Sequence, residues 1–259
     1  MCTRRARLCS ALFVCCTLAG CGTEETPPPS GVLLDLTVLD IVPTLSGDPP
    51  VPVSQLRVCV LDDAERCATT DSSGRVVLTL PDGERTGVTI VDERARERIV
   101  KKLLPLDTRS GMPFAINTPA VSRLLITTLP VVTMQEFDEA TQGLVVAQAF
   151  YLENRSLGID GLTCAIDRDD GTPIAGTDIW YAPANGSPIT TPFNRDGLTS
   201  DTGLAGTIIG PGTYRVRLDG AYDCAATSGW VVDSADANTW DVPARPGYFT
   251  DLTAYCRKR

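Results

Sequence analysis

The residues of this 259-residue chain that could do chemistry are its ten cysteines, its 32 carboxylates and a late run of aromatic side chains. Histidine is absent. That excludes Ser-His-Asp and Cys-His nucleophilic catalysis, imidazole general bases and histidine zinc sites. Five cysteines (Cys2, Cys9, Cys15, Cys16, Cys21) fall in the first twenty-one residues and five (Cys59, Cys67, Cys164, Cys224, Cys256) in the body. The body holds no CxxC pair, so neither a structural metal nor an activated dithiol is expected there. Disulfides are expected instead. Cys59 and Cys67 enclose Val60–Arg66, with Asp62-Asp63-Ala64 as the turn, a spacing that adjacent antiparallel strands can bridge. Cys164, Cys224 and Cys256 leave one thiol unpaired. Cys224–Cys256 is the first expectation, because it would pin the C-terminal strand, and Cys164–Cys256 is the alternative.

Among the carboxylates, Asp167-Arg168-Asp169-Asp170-Gly171 resembles the opening of a calcium loop. An EF-hand needs Gly sixth and Glu twelfth, where this chain has Thr172 and Asp178. The segment is read as a turn. Paired carboxylates can also hydrolyse glycosides, but sequence places no two at a working separation. The aromatics Trp180, Tyr181, Trp230, Trp240, Tyr248 and Phe249 cluster late in the chain. They either fill a core or form a platform for sugar rings or a partner's apolar surface. Trp180, Trp230 and Trp240 are the candidate contacts, and Trp230, which follows Thr227-Ser228-Gly229, is the one expected to be exposed.

The first cysteines belong to an export signal. Arg4, Arg5 and Arg7 precede an uncharged stretch, Leu8–Ala19, and then Leu18-Ala19-Gly20-Cys21. A basic start, a short apolar core and small residues describe a secretory signal peptide over 1–20. Its end resembles the bacterial lipobox, which implies cleavage before Cys21 and acylation of that thiol. Several acyl chains are needed for firm anchoring, because one alone binds a bilayer marginally. Gly22 stands where an aspartate would resemble an inner-membrane retention signal, so the outer membrane or cell surface is expected. Residues 21–31 carry GTEETPPPSG, a proline-rich tether that cannot build a core. Cleavage leaves 20 basic and 32 acidic residues, net −12. That balance argues against a nucleic-acid partner, which requires a basic face.

These features must be carried by strands. Gln55–Leu61, Arg75–Leu80, Thr86–Asp92 and Thr213–Leu218 alternate apolar and polar residues, the period of half-buried β-strands. Turn signals recur between them: Gly47-Asp48-Pro49-Pro50, Ser72-Ser73-Gly74, Pro81-Asp82-Gly83 and Gly210-Pro211-Gly212. Two segments read as helical: Asp92–Lys102, as a surface turn of helix or a charged edge strand, and Met134–Gln142, as a short linking helix. A faint repeat relates Leu56–Val60, Thr69–Val76 and Leu80–Gly83 to Thr172–Tyr181, Thr199–Ala205 and Gly210–Val216. The expectation is an all-β chain of two tandem antiparallel β-sandwich domains, 32–130 and 144–259, joined by a linker at 131–143.

The motifs T-T-D-S-S-G-R (69–75), L-P-D-G (80–83), T-S-D-T-G (199–203) and P-G-T-Y-R-V (211–216) resemble those of the carboxypeptidase regulatory-like domain. That family has a transthyretin-like sandwich, also classed as a carbohydrate-binding-like fold. The resemblance covers the middle of each half and implies an accessory module without a peptidase centre. The functional expectation is a non-enzymatic envelope lipoprotein, anchored to the membrane through lipid and needing no cofactor. Its loops would bind a polysaccharide or an envelope protein, or serve as spacers. A carbohydrate-binding surface protein and a histidine-free carboxylate hydrolase are the rival expectations.

Overall fold

Alternation along the chain becomes strands wherever one face can be buried. The computed structural model describes residues 31–40, 48–94, 98–184, 193, 195–232 and 238–259. The first half contains β1 (Val32–Asp40), β2 (Val51–Pro52), β3 (Arg57–Val60), β4 (Cys67–Thr69), β5 (Arg75–Leu80), β6 (Arg85–Val91), β7 (Lys102–Asp107) and β8 (Phe114–Ala120). Val32, Leu34, Leu36 and Val38 of β1 point inward, as do Val76, Leu78 and Leu80 of β5. In one layer β1 lies between antiparallel β5 and parallel β8, with β2 pairing its last two residues. The facing layer runs β4–β3–β6–β7, all antiparallel.

The second half contains β9 (Gly143–Tyr151), β10 (Thr163–Arg168), β11 (Trp180–Tyr181), β12 (Leu204–Ile209), β13 (Gly212–Asp219), β14 (Tyr222–Ala226), β15 (Trp230–Val231), β16 (Thr239–Ala244) and β17 (Phe249–Lys258). Its pairing repeats the first. β9 lies between antiparallel β12 and parallel β17, and β10–β13–β16 matches β3–β6–β7. A buried threonine marks the repeat at atomic scale. Thr70 Oγ1 accepts from Leu56 N (3.0 Å) and donates to Val53 O (2.8 Å). Thr199 Oγ1 does the same with Leu162 N (2.9 Å) and Ile159 O (2.7 Å). Leu56 therefore corresponds to Leu162, and β3 to β10. The sequence repeat relates Leu56–Val60 to Thr172–Tyr181 instead, because the segment that ends in β11 carries an apolar run of its own.

The two halves share a sheet. β17 takes β7 alongside its first residues, in parallel register Phe249↔Lys102 and Thr250↔Leu103, so a nine-stranded sheet crosses from one half to the other. Each half has its own apolar core. A third cluster, including Ile126, Leu129, Trp180 and Phe249, joins them.

Helix α1 (Arg123–Thr133) packs on that third cluster. It precedes the expected helix, and Met134–Gln142 is not helical. Ser122 caps α1, its side chain accepting from Leu124 N, and Met134 ends it in the left-handed region at φ 54°. The β-branched run and internal Pro130 disguise the segment, since both disfavour helix in isolation. Burial of Ile126, Leu129 and Val132 overrides that propensity. The charged segment 92–102, in its described part, is neither a surface helix nor an edge strand, for Asp92 and Lys102 at its two ends are buried.

Candidate functional site

Strand register decides the cysteine pairing. Cys59 and Cys67 face each other across β3 and β4, and Cys224 and Cys256 across β14 and β17, each pair with Cα atoms 4.0 Å apart and joined as a disulfide. The first hairpin turns at Asp62, whose φ is 62°, and the Asp63 carboxylate accepts from the amides of Glu65 and Arg66. Of the two alternatives left open by sequence, Cys224–Cys256 is the one formed. Cys164 is a free thiol in the second core, and burial pushes its pKa up to about 12. Such a thiol is inert, since reactivity requires the thiolate. Cys21, the signal segment and the tether up to Ser30 lie outside the described residues.

The tryptophans do not form a platform. Trp180 is 2% exposed and Trp240 5%, both inside cores. The Trp180 ring packs 4.8 Å from that of Phe193 and lies against the backbone of Gly206, which has no Cβ to obstruct it. Trp230 is half-buried rather than exposed, because its indole N–H donates to Thr86 O (2.6 Å) in the first half. The aromatic surface that sequence reasoning missed is elsewhere. Phe150 and Tyr255 are register partners on β9 and β17 with ring centroids 5.9 Å apart, and the Arg155 guanidinium lies 4.8 Å from the Tyr255 centroid. Its signal was parity: both rings follow buried alanines, Ala149 and Ala254, and so point to the opposite face. Asp167 and Arg168 end β10, and Asp169–Gly171 is the turn after it, with Asp170 accepting from Thr172 N and Gly171 at φ 80°.

Two clusters of charge are built into the fold. Lys102, 1% exposed, donates from Nζ to Asp251 Oδ2 (2.7 Å), Thr118 Oγ1 (2.5 Å) and Pro119 O (3.0 Å). It ties β7 to β8 in the opposite layer and to β17 of the other half. Burial pulls its pKa down, and the Asp251 carboxylate only partly offsets that.

The second cluster frames a groove of about 540 Å3 between β2 and the start of α1. Asp92, 1% exposed, lies behind it and accepts from Arg94 Nε and Nη2 and from the amides of Arg94 and Arg98. Burial raises the Asp92 pKa, but the Arg94 guanidinium and the two amides outweigh it, so the carboxyl titrates below its ordinary range. Arg98 O accepts from Arg123 N, and Ile99 bridges Ser122, which seams this segment to the helix. Arg123 Nη1 donates to Glu139 (2.8 Å). Arg94, Arg98 and Arg123 thus line one groove from three places in the chain, opposite Val51, Pro52 and Val53. Among the described residues the Arg98 side chain makes no hydrogen bond or ion pair.

No protein-family model matches the chain, and no curated protein matches it. Solved structures similar to it include the Bacillus anthracis TIE protein, at 11% identity and a TM-score of 0.30, covering 88% of this chain and 34% of that one. The shaft pilin SpaA of Lactobacillus rhamnosus GG gives 11% identity and 0.26, covering 89% and 99%. The minor pilin GBS52 of Streptococcus agalactiae gives 11% and 0.27, covering 88% and 97%. The chain spans about a third of the TIE protein's length. Likeness at this level adds nothing to the all-β architecture seen directly in the strands.

Proposed function

We propose that the protein is an exported, lipid-anchored envelope module that binds or spaces rather than catalyses, on two carboxypeptidase regulatory-like sandwiches. The observation that carries the reading is the pair of in-register disulfides, which persist in oxidising compartments outside the cytoplasm. Export is also what Arg4–Cys21 encodes, and the lipobox at Leu18–Cys21 supplies the anchor. The buried carboxylates Asp92, Asp241 and Asp251 each bind a cation within the fold. That arrangement favours a structural role for them over the paired-carboxylate hydrolase.

The experiment is metabolic labelling of a bacterial host with radioactive palmitate. Wild-type protein is expected to carry label and to fractionate with membranes, and Cys21→Ala to lose both. An unlabelled wild type, or equal label on the variant, overturns the anchor.

A further inference from the structure

We infer that the groove between β2 and the start of α1 is a binding site for a carboxylate-bearing sugar chain, a uronic-acid oligosaccharide in chemical class. This rests on the binding reading above and specifies its ligand. The Arg94 side chain and the Arg98 backbone are fixed by a device that exposed arginines lack. The Asp92 carboxylate, buried behind them, holds one guanidinium by its fork and the other residue by its amide. Arg123 is placed by the backbone bond from its amide to Arg98 O (2.8 Å). Preorganisation of this kind lowers the ordering cost of binding.

Charge selects the ligand's anionic group. Asp40 lines the groove, Asp92 lies behind it and Glu139 pairs with Arg123, so three carboxylates stand against three guanidiniums. Arg94 and Arg123 are each held by a carboxylate, which leaves the Arg98 guanidinium for one negative charge rather than for a dianion such as a phosphate monoester. A single charge spread over two oxygens fits the planar fork of Arg98. The amides of the first helical turn do not add a site. Arg123 N is bonded to Arg98 O, Leu124 N to Ser122 Oγ and Leu125 N to Ser122 O.

The walls select the rest. Val51, Pro52, Val53 and Ile99 offer aliphatic surface, and Ser54 and Ser122 offer hydroxyls. A pyranose ring presents C–H faces and hydroxyls together, which matches that mixture better than an acidic peptide does. The chain's net charge of −9 repels a long polyanion at range, so the groove acts at contact and a short oligomer is the suitable probe.

The test is calorimetric titration of the full-length protein in detergent with oligogalacturonate, its methyl ester, poly-L-glutamate and inorganic phosphate. Oligogalacturonate is expected to bind and its uncharged ester not to. Arg98→Gln and Arg123→Gln should each weaken binding about tenfold, the loss of a charge-assisted hydrogen bond, while circular dichroism and melting stay at wild type. Arg98→Lys keeps the charge but not the fork and should also weaken binding. Equal binding of the ester, tighter binding of poly-L-glutamate or phosphate, unaltered affinity in both glutamine variants, or no binding of oligogalacturonate overturns the assignment. Loss of binding in Tyr255→Ala with affinity retained in Arg98→Gln overturns it too, by moving the site to the Phe150–Tyr255 surface. Palmitate labelling reads the anchor independently, so failure at the groove is distinguishable from failure of the envelope reading.

Discussion

Lys102 shows how one residue can hold several elements at once. A lysine 1% exposed is tolerated because all three ammonium protons have acceptors, two on β8 and one on β17. Such a pair adds little net stability over an apolar replacement, but leaving one partner alone inside is costly. Asp251→Ala is therefore expected to destabilise the protein by about 3–5 kcal/mol, and the double variant Lys102→Met, Asp251→Leu to recover most of that loss. Urea denaturation of the three proteins checks it. A double variant no more stable than Asp251→Ala would show that packing, not the stranded charge, sets the cost. Nothing in the sequence flags this site. Lys102 closes a segment, DERARERIVKK, whose composition reads as a solvated surface, and its partner lies 149 residues away.

At the scale of elements, what could be read from sequence was what depends on nearest neighbours. Period-two alternation marked β3, β5, β6 and β13 to within two residues, and glycine-containing turns marked the bounds of β5, β6 and β13, because burial of one face and turn chemistry are both local. The hairpin cysteines followed from the same logic. Helix α1 and the inward tryptophans were not legible. Each depends on a surface supplied by distant chain: α1 on the third core cluster, Trp180 on Gly206, Trp230 on Thr86. The groove was hidden for a related reason, since its arginines look like a charge run until Asp92 is seen to be buried. The two disulfides differ in span, 8 residues for Cys59–Cys67 and 32 for Cys224–Cys256. On chain entropy, replacing the second pair by serine should cost about 4 kcal/mol and the first about 2.5 kcal/mol. Denaturant midpoints of the two double-serine variants test the order. The reverse order would mean that native packing around the short hairpin outweighs loop closure.

For the whole molecule, the decisive feature is the seam between halves. The shared sheet is one part of it. The other is a clasp in which β15 docks on the first half: Gly229 N donates to Pro105 O (2.8 Å), Trp230 Nε1 to Thr86 O and Val231 N to Asp107 Oδ2 (3.0 Å). Arg85 and Arg109 both donate to Val231 O, and Arg109 is itself held by Asp107. Asp107 is thus the acidic pin of the clasp. Burial raises its pKa, but the Arg109 guanidinium and the amides of Arg109 and Val231 more than offset this, so it lies below the ordinary aspartate value. A carboxyl depressed on folding contributes stability above its unfolded pKa, about 4, and that stability is lost as pH falls through the lower folded value. Asp92 titrates with the same sign. Acid should therefore loosen the clasp below about pH 4, and Trp230, half-buried on it, should report the change as a red-shifted, partly quenched emission. Asp107→Asn removes the titrating group and weakens the bond to Arg109. It should show the shifted emission already at neutral pH and a flatter acid limb in its urea midpoints. A variant with wild-type emission and the same acid limb would place the acid sensitivity elsewhere and leave the sheet at β7 and β17 as the connection that holds the two halves together.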